Sequence, residues 1–141
     1  MHSIKTHFSL LAALVLGLAP FTLLAADPAS FAGEYADKNY LSGKGVFQMS
    51  LEQTGSNVSV FFSAAHSDGS GAAPEADGKG KVTGKGIVEF NWEDSFSNSG
   101  TGTIRKAGTD VLVAIKATHV KDSRCLQYYG NSIRLKTAGK K

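Results

Sequence analysis

The stretch GVFQMSLEQTGSNVSVFFSAA, residues 45–65, decides the fold. Within it Phe47, Met49 and Leu51 alternate with Val46, Gln48 and Ser50, and beyond a short break Val58, Val60, Phe62 and Ala64 share a face. Side chains of an extended chain point alternately to its two sides, so a period of two marks a strand with one buried face. The break at residues 53–57, Gln-Thr-Gly-Ser-Asn, has the chemistry of a tight turn, with Gly55 free to take a left-handed conformation. Residues 45–65 therefore read as a β-hairpin.

The same period continues outward from this hairpin. Residues 31–35 make a short strand before it, and residues 79–83, 86–92, 102–106, 111–118, 125–129 and 132–136 make further strands after it. In residues 86–92, for example, Val88, Phe90 and Trp92 face one way and Glu89 and Asn91 the other. Hardly anything recurs at the 3.6-residue period of a helix. About eight short strands at this spacing imply an all-β fold, a single antiparallel up-and-down β-barrel or a β-sandwich.

The N-terminus is of another kind. Lys5 is the only formal charge before the apolar run FSLLAALVLGLA at residues 8–19, and Pro20 and the small residues Ala25 and Ala26 follow. This is the plan of a secretory signal peptide, expected over residues 1–26, with a periplasmic or secreted product. A membrane anchor needs roughly 20 apolar residues and a basic flank, so no stable span is expected after cleavage. The folding part is residues 27–141, the size of one domain.

The chain of 141 residues holds a single cysteine, Cys125, so no internal disulfide is available and packing must hold the fold. Alternation in residues 125–129 sets Cys125 opposite Leu126 and predicts a buried thiol. Charge is segregated along the chain: residues 27–104 carry 5 basic and 10 acidic side chains, and residues 105–141 carry 9 and 2. The basic last third reads as a solvated strand face or as a face for an anionic partner such as a membrane surface, a polysaccharide or an acidic protein. No aromatic residues interleave with the basic ones, which argues against nucleic acid.

Gly-Lys-Gly occurs at residues 43–45, 78–80 and 84–86, and Gly100-Thr101-Gly102 adds a fourth Gly-x-Gly. None precedes a helix or has the spacing of a phosphate loop, so these glycines are expected where strands bend or crowd.

The opening Phe31-Ala32-Gly33-Glu34-Tyr35 resembles the F-x-G-x-[YW] first strand of calycin-like barrels, the lipocalins, avidins and small bacterial relatives. That resemblance implies a barrel that binds a small apolar or amphipathic ligand. The chain is shorter than secreted lipocalins and has no disulfide pair or C-terminal helix. In size, export and basic charge it is also similar to small periplasmic lysozyme inhibitors, which would imply a protein partner.

For chemistry, the loop at residues 66–78 holds His66, Asp68, Glu75 and Asp77, whose spacing fits no EF-hand or zinc motif. Ser95, Ser123 and His119 stand in no nucleophile context. Neither catalytic residues, a metal site nor a cofactor is expected. The segment at residues 92–100 is richer: Trp92, Glu93, Asp94, Phe96 and Asn98 are candidates for ligand or partner binding, or for a hairpin whose polar groups bond the local backbone. Tyr128 and Tyr129 are adjacent, so in a strand one faces out, and beside Arg124 it would form an interaction surface. The expected function is binding, of a small ligand or of an envelope protein. A cavity lined by Phe47, Phe62, Phe90 and Trp92 would mark the first; a filled interior with an exposed Tyr and Arg patch would mark the second.

Overall fold

In the computed structural model the alternation becomes a wall that closes on itself. Its strands are β1 (Gly33–Tyr40), β2 (Gly45–Thr54), β3 (Asn57–His66), β4 (Glu75–Val82), β5 (Ile87–Asp94), β6 (Ser99–Ala107), β7 (Asp110–His119) and β8 (Ile133–Gly139). Each pairs antiparallel with the next and β8 returns to β1, which makes an up-and-down closed barrel and not a sandwich. The structure describes residues 29–139; the leader expected over residues 1–26 lies outside them.

The hairpin that decided the fold is the most regular part, pairing without interruption from Gly45 with His66 to Thr54 with Asn57. Its inward residues Phe47, Met49, Leu51, Val58, Val60 and Phe62 are all buried. Burying such a side chain contributes about 1.5–3 kcal/mol, and the barrel holds together by this with no covalent link.

Two parts depart from the sequence expectation. Strand β4 begins at Glu75, so Glu75 and Asp77 stand on the wall and not in a loop. Its inward positions are Ala76, Gly78, Gly80 and Val82, and with two glycines among them the apolar alternation is silent in the sequence. Residues 125–129, expected as a strand, instead belong to a 3-10 helix, Ser123–Tyr128, with Tyr129 as its C-cap. Asp122 caps its N-terminus by accepting a bond from the Arg124 N–H, a competing local structure that alternation does not report.

The glycines explain how the interior is filled. Gly78 and Gly100 flank Trp92 in register, and Gly80 and Gly102 flank Phe90. A Cβ at any of the four would collide with neighbouring backbone or with the Phe90 ring. The Phe90 side chain thus uses the room left at Gly80 and Gly102, an arrangement known to rescue glycine in sheets. By contrast Gly43 and Gly86 have positive φ in the connections after β1 and β4, where the other Gly-Lys-Gly motifs make turns.

An aromatic column runs up the interior. Tyr40 meets Phe47 at 5.3 Å, Phe47 stacks on Phe62 at 5.7 Å, Phe62 meets Trp92 at 5.6 Å and Trp92 meets Tyr129 at 4.9 Å between ring centroids. Phe31 closes the end where the N-terminus enters: it is fully buried, its N–H donates to Gln53 Oε1 at 2.8 Å and its carbonyl accepts the Tyr35 hydroxyl at 2.8 Å. The 3-10 helix closes the other end.

Candidate functional site

Beside the short turn at residues 41–44 between β1 and β2, the closed end is built by three connections: residues 67–74 between β3 and β4, residues 95–98 between β5 and β6, and the long excursion at residues 120–132 between β7 and β8. Asp94 organises the second. Its Oδ1 accepts the N–H groups of Phe96 at 2.8 Å and Asn98 at 3.0 Å, while the Asp94 N–H bonds the Asn98 carbonyl at 2.9 Å. The turn forces Ser97 into the left-handed region at φ 66, a cost that these bonds offset.

Asn98 ties the second connection to the third. It is fully buried; its Nδ2 donates to Asp94 Oδ2 at 3.0 Å, and its Oδ1 accepts the N–H groups of Lys121 at 2.7 Å and Asp122 at 2.9 Å. Tyr129 donates its hydroxyl to the same Asp94 Oδ2 at 2.7 Å. Asp94 therefore accepts four hydrogen bonds, the full complement of a carboxylate, and has no lone pair left for an ion or a substrate. Burial, followed by the bond to Asp94, pushes the Tyr129 hydroxyl far above its ordinary value, so it remains a neutral donor.

Neither tyrosine faces outward. Tyr128 is fully buried, donates its hydroxyl to the Ala72 carbonyl at 2.9 Å and accepts the Tyr40 hydroxyl on its own carbonyl at 2.6 Å. His66 Nδ1 lies 3.3 Å from the Tyr128 oxygen and 3.2 Å from the Ser70 carbonyl. With the Tyr128 proton committed to Ala72, the Tyr128 oxygen and the Ser70 carbonyl are both placed to accept from His66 Nδ1. Cys125 is enclosed beneath the helix, and desolvation, with the nearby Asp94 next in importance, pushes its thiol up to about 11.

Of the residues singled out in the sequence, Trp92, Asp94, Asn98, Tyr128 and Tyr129 are thus joined as the inner framework of this end. Trp92 is 3% exposed and spends its indole N–H on the Thr101 carbonyl at 3.0 Å. Glu93 is exposed on the outer wall, Phe96 is half-buried, and Arg124 presents a side chain that is 64% exposed. The Arg124 guanidinium grips Asp122 through two nitrogens and lies 5.5 Å from the Phe96 ring centroid. Bonds from Arg124 hold the Asp122 carboxyl at about 2.

Sequence reasoning missed the residues this framework displays. Val120 at 44% and Leu126 at 37% exposure are two of the three large apolar side chains most open to solvent among the described residues, and both lie on the excursion with Lys121 and Arg124. The sequence signal was Asp122-Ser123 after a strand, the start of a short capped turn. Asp68 stays in the first connection, while His66 ends β3 and Glu75 and Asp77 stand on β4, and among the described residues no three His, Cys, Asp or Glu side chains are placed to share a metal ion.

The chain matches no family model, no curated protein and no solved structure.

Proposed function

We propose that this is an exported, non-catalytic, calycin-like barrel that binds an envelope protein through its closed end. The observation that carries this reading is the filled interior: Phe47, Phe62, Phe90 and Trp92, the residues that would line a calyx, are at most 4% exposed, with Phe47 stacked on Phe62 and Phe62 meeting Trp92 edge-on. Binding then belongs on the outside. There the excursion at residues 120–132 offers apolar Val120 and Leu126 beside the cations Lys121 and Arg124, with its backbone already pinned by Asn98. A loop fixed before binding loses little entropy on docking. Its chemistry suits a partner with an acidic cleft and an apolar subsite. Export is supported by the leader pattern of residues 1–26 and by a fold that draws on no reactive thiol.

The test is affinity capture from an envelope extract with the full processed chain, followed by mass spectrometry of proteins and extracted small molecules. Wild type is expected to retain one protein in stoichiometric amount, and Leu126→Asp, which leaves the barrel folded, to lose it. Co-purified lipid or metabolite without a protein, or a partner retained by Leu126→Asp, overturns the reading.

A further inference from the structure

The wall of β3–β7 carries a second surface, which meets the excursion of the closed end at Asn131. Ser59, Lys79, Asn91, Thr101 and Lys116 are direct cross-strand neighbours in succession, so they form one outward row across five strands. All five are exposed. The row lies along an open groove of about 1080 Å³, which Asn57, Lys81 and Asn131 also line.

Neighbouring strands are about 4.8 Å apart, which sets Lys79 and Lys116 on the order of 14 Å apart along the wall. Only the short Asn91 and Thr101 stand between them. Glu89 is the single acid lining the groove and sits directly opposite Lys81; the direct cross-strand neighbours of Lys79 are Ser59 and Asn91, and that of Lys116 is Thr101. Neither takes part in the two ion pairs among the described residues, which are Arg124 with Asp122 and Arg134 with Asp110.

The groove lacks an exposed aromatic face, its one ring, Phe90, being 4% exposed. A ligand there is held by charge and by side-chain hydrogen bonds. Within the row each strand from β3 to β7 is paired with the next, so a peptide finds no free edge to extend there. Hydroxyls and amides between two separated cations match a polyol with anionic groups on different rings. We propose that this groove binds an anionic glycan, with carboxylate or sulfate groups at Lys79 and Lys116 and sugar hydroxyls at Asn91, Thr101 and Ser59.

The experiment is calorimetric titration of the full processed chain at low and moderate salt with four probes: oligogalacturonate, a heparin-derived oligosaccharide, a neutral maltooligosaccharide and oligoglutamate. At least one charged oligosaccharide is expected to bind, more weakly as salt rises, and the neutral one not to bind. Lys79→Gln with Lys116→Gln is expected to weaken binding about tenfold, equivalent to about 1.4 kcal/mol. Arg105→Gln with Lys136→Gln, on the wall outside the groove, is expected to change it less than about twofold, the scale of lost long-range attraction at moderate salt. All four side chains are exposed, and unchanged thermal unfolding shows the variants folded. Failure of both charged oligosaccharides to bind, an equal loss in the two double variants, or oligoglutamate binding as tightly overturns the proposal. Leu126→Asp leaves this binding intact, so the two surfaces fail separately.

Discussion

Asn98 is the residue on which the closed end turns, and two substitutions there separate its roles. Asn98→Ala removes three hydrogen bonds: Nδ2 to Asp94 and Oδ1 from Lys121 and Asp122. A buried polar group left unpaired costs about 1–3 kcal/mol. Lys121 is exposed and Asp122 half-buried, so their N–H groups recover water, while Asp94 keeps its other three donors. The expected loss is therefore about 3 kcal/mol, a large part of the 5–15 kcal/mol typical of a domain. Urea unfolding followed by the fluorescence of the single tryptophan, Trp92, measures it. Native-state amide exchange should quicken at Lys121 and Asp122 far more than in the β2–β3 ladder, because the barrel itself is untouched.

Asn98→Asp keeps the acceptor for Lys121 and Asp122 but sets a second carboxyl where Nδ2 met Asp94 Oδ2 at 3.0 Å. Two like charges that close in a buried site force one acid to hold a proton, raising its folded value above the ordinary carboxylate value of about 4. A raised acid destabilises as pH climbs past its unfolded value and ceases to do so as pH falls below it. The variant should be least stable against wild type near neutrality and close the gap on acidification. Wild-type stability for Asn98→Asp at neutral pH, or a gap indifferent to pH, would refute the network.

Gly102→Ala should destabilise by about 1–3 kcal/mol or more, since the added Cβ meets the Phe90 ring and approaches the Ala114 carbonyl to 2.8 Å; Gly84→Ala, with open space around it, should be nearly neutral, and equal urea midpoints for the two would contradict the packing. Cys125, enclosed and pushed up to about 11, should resist a thiol reagent at neutral pH until urea opens the fold; fast labelling of native protein would show the helix does not cover it. The four tyrosines, 35, 40, 128 and 129, all have hydroxyls raised chiefly by burial, Tyr40 to about 12. Their neutral forms are favoured in the fold, so this contribution is complete below about pH 10 and lost above it as unfolded tyrosines ionise. Phenolate absorbance should rise together with unfolding, and a gradual rise centred near pH 10 in still-folded protein would contradict it.

The barrel was legible wherever inward positions carry apolar side chains. Phe47, Met49 and Leu51, or Val111, Val113 and Ile115, announce a strand by alternation alone. The start of β4 was illegible because tertiary structure replaced the side chain: Gly78 and Gly80 face inward, yet the atoms nearest their missing side chains are backbone and the Phe90 side chain of the next strand, which no local pattern reports. The site failed differently. Cys125, Tyr128 and Tyr129 are apolar enough to alternate, and a six-residue helix is too short to show a period of its own. The expectation that Asp94 and Asn98 bond the local backbone could be formed from their residue types, but the bonds from Lys121 and Tyr129 join positions more than 20 residues away.

The glycines connect inside and outside. Gly80 and Gly102 leave the interior to Phe90, and the same two residues line the outer groove beside Lys79 and Thr101. A strand position without a side chain lets the wall draw in against the ring it faces, and the short Asn91, Thr101 and Thr103 outside then form a hollow between longer lysines. Filling the barrel and hollowing its surface are one packing solution seen from two sides. Stability and groove shape are consequently coupled at Gly102, whereas Lys79 and Lys116 alter only the charge, and Leu126 sits on a loop pinned by an independent set of bonds. In a chain with 16 glycines and no disulfide, both surfaces proposed for binding thereby lie on the outside of a solid barrel, set by residues that the core constrains to different degrees.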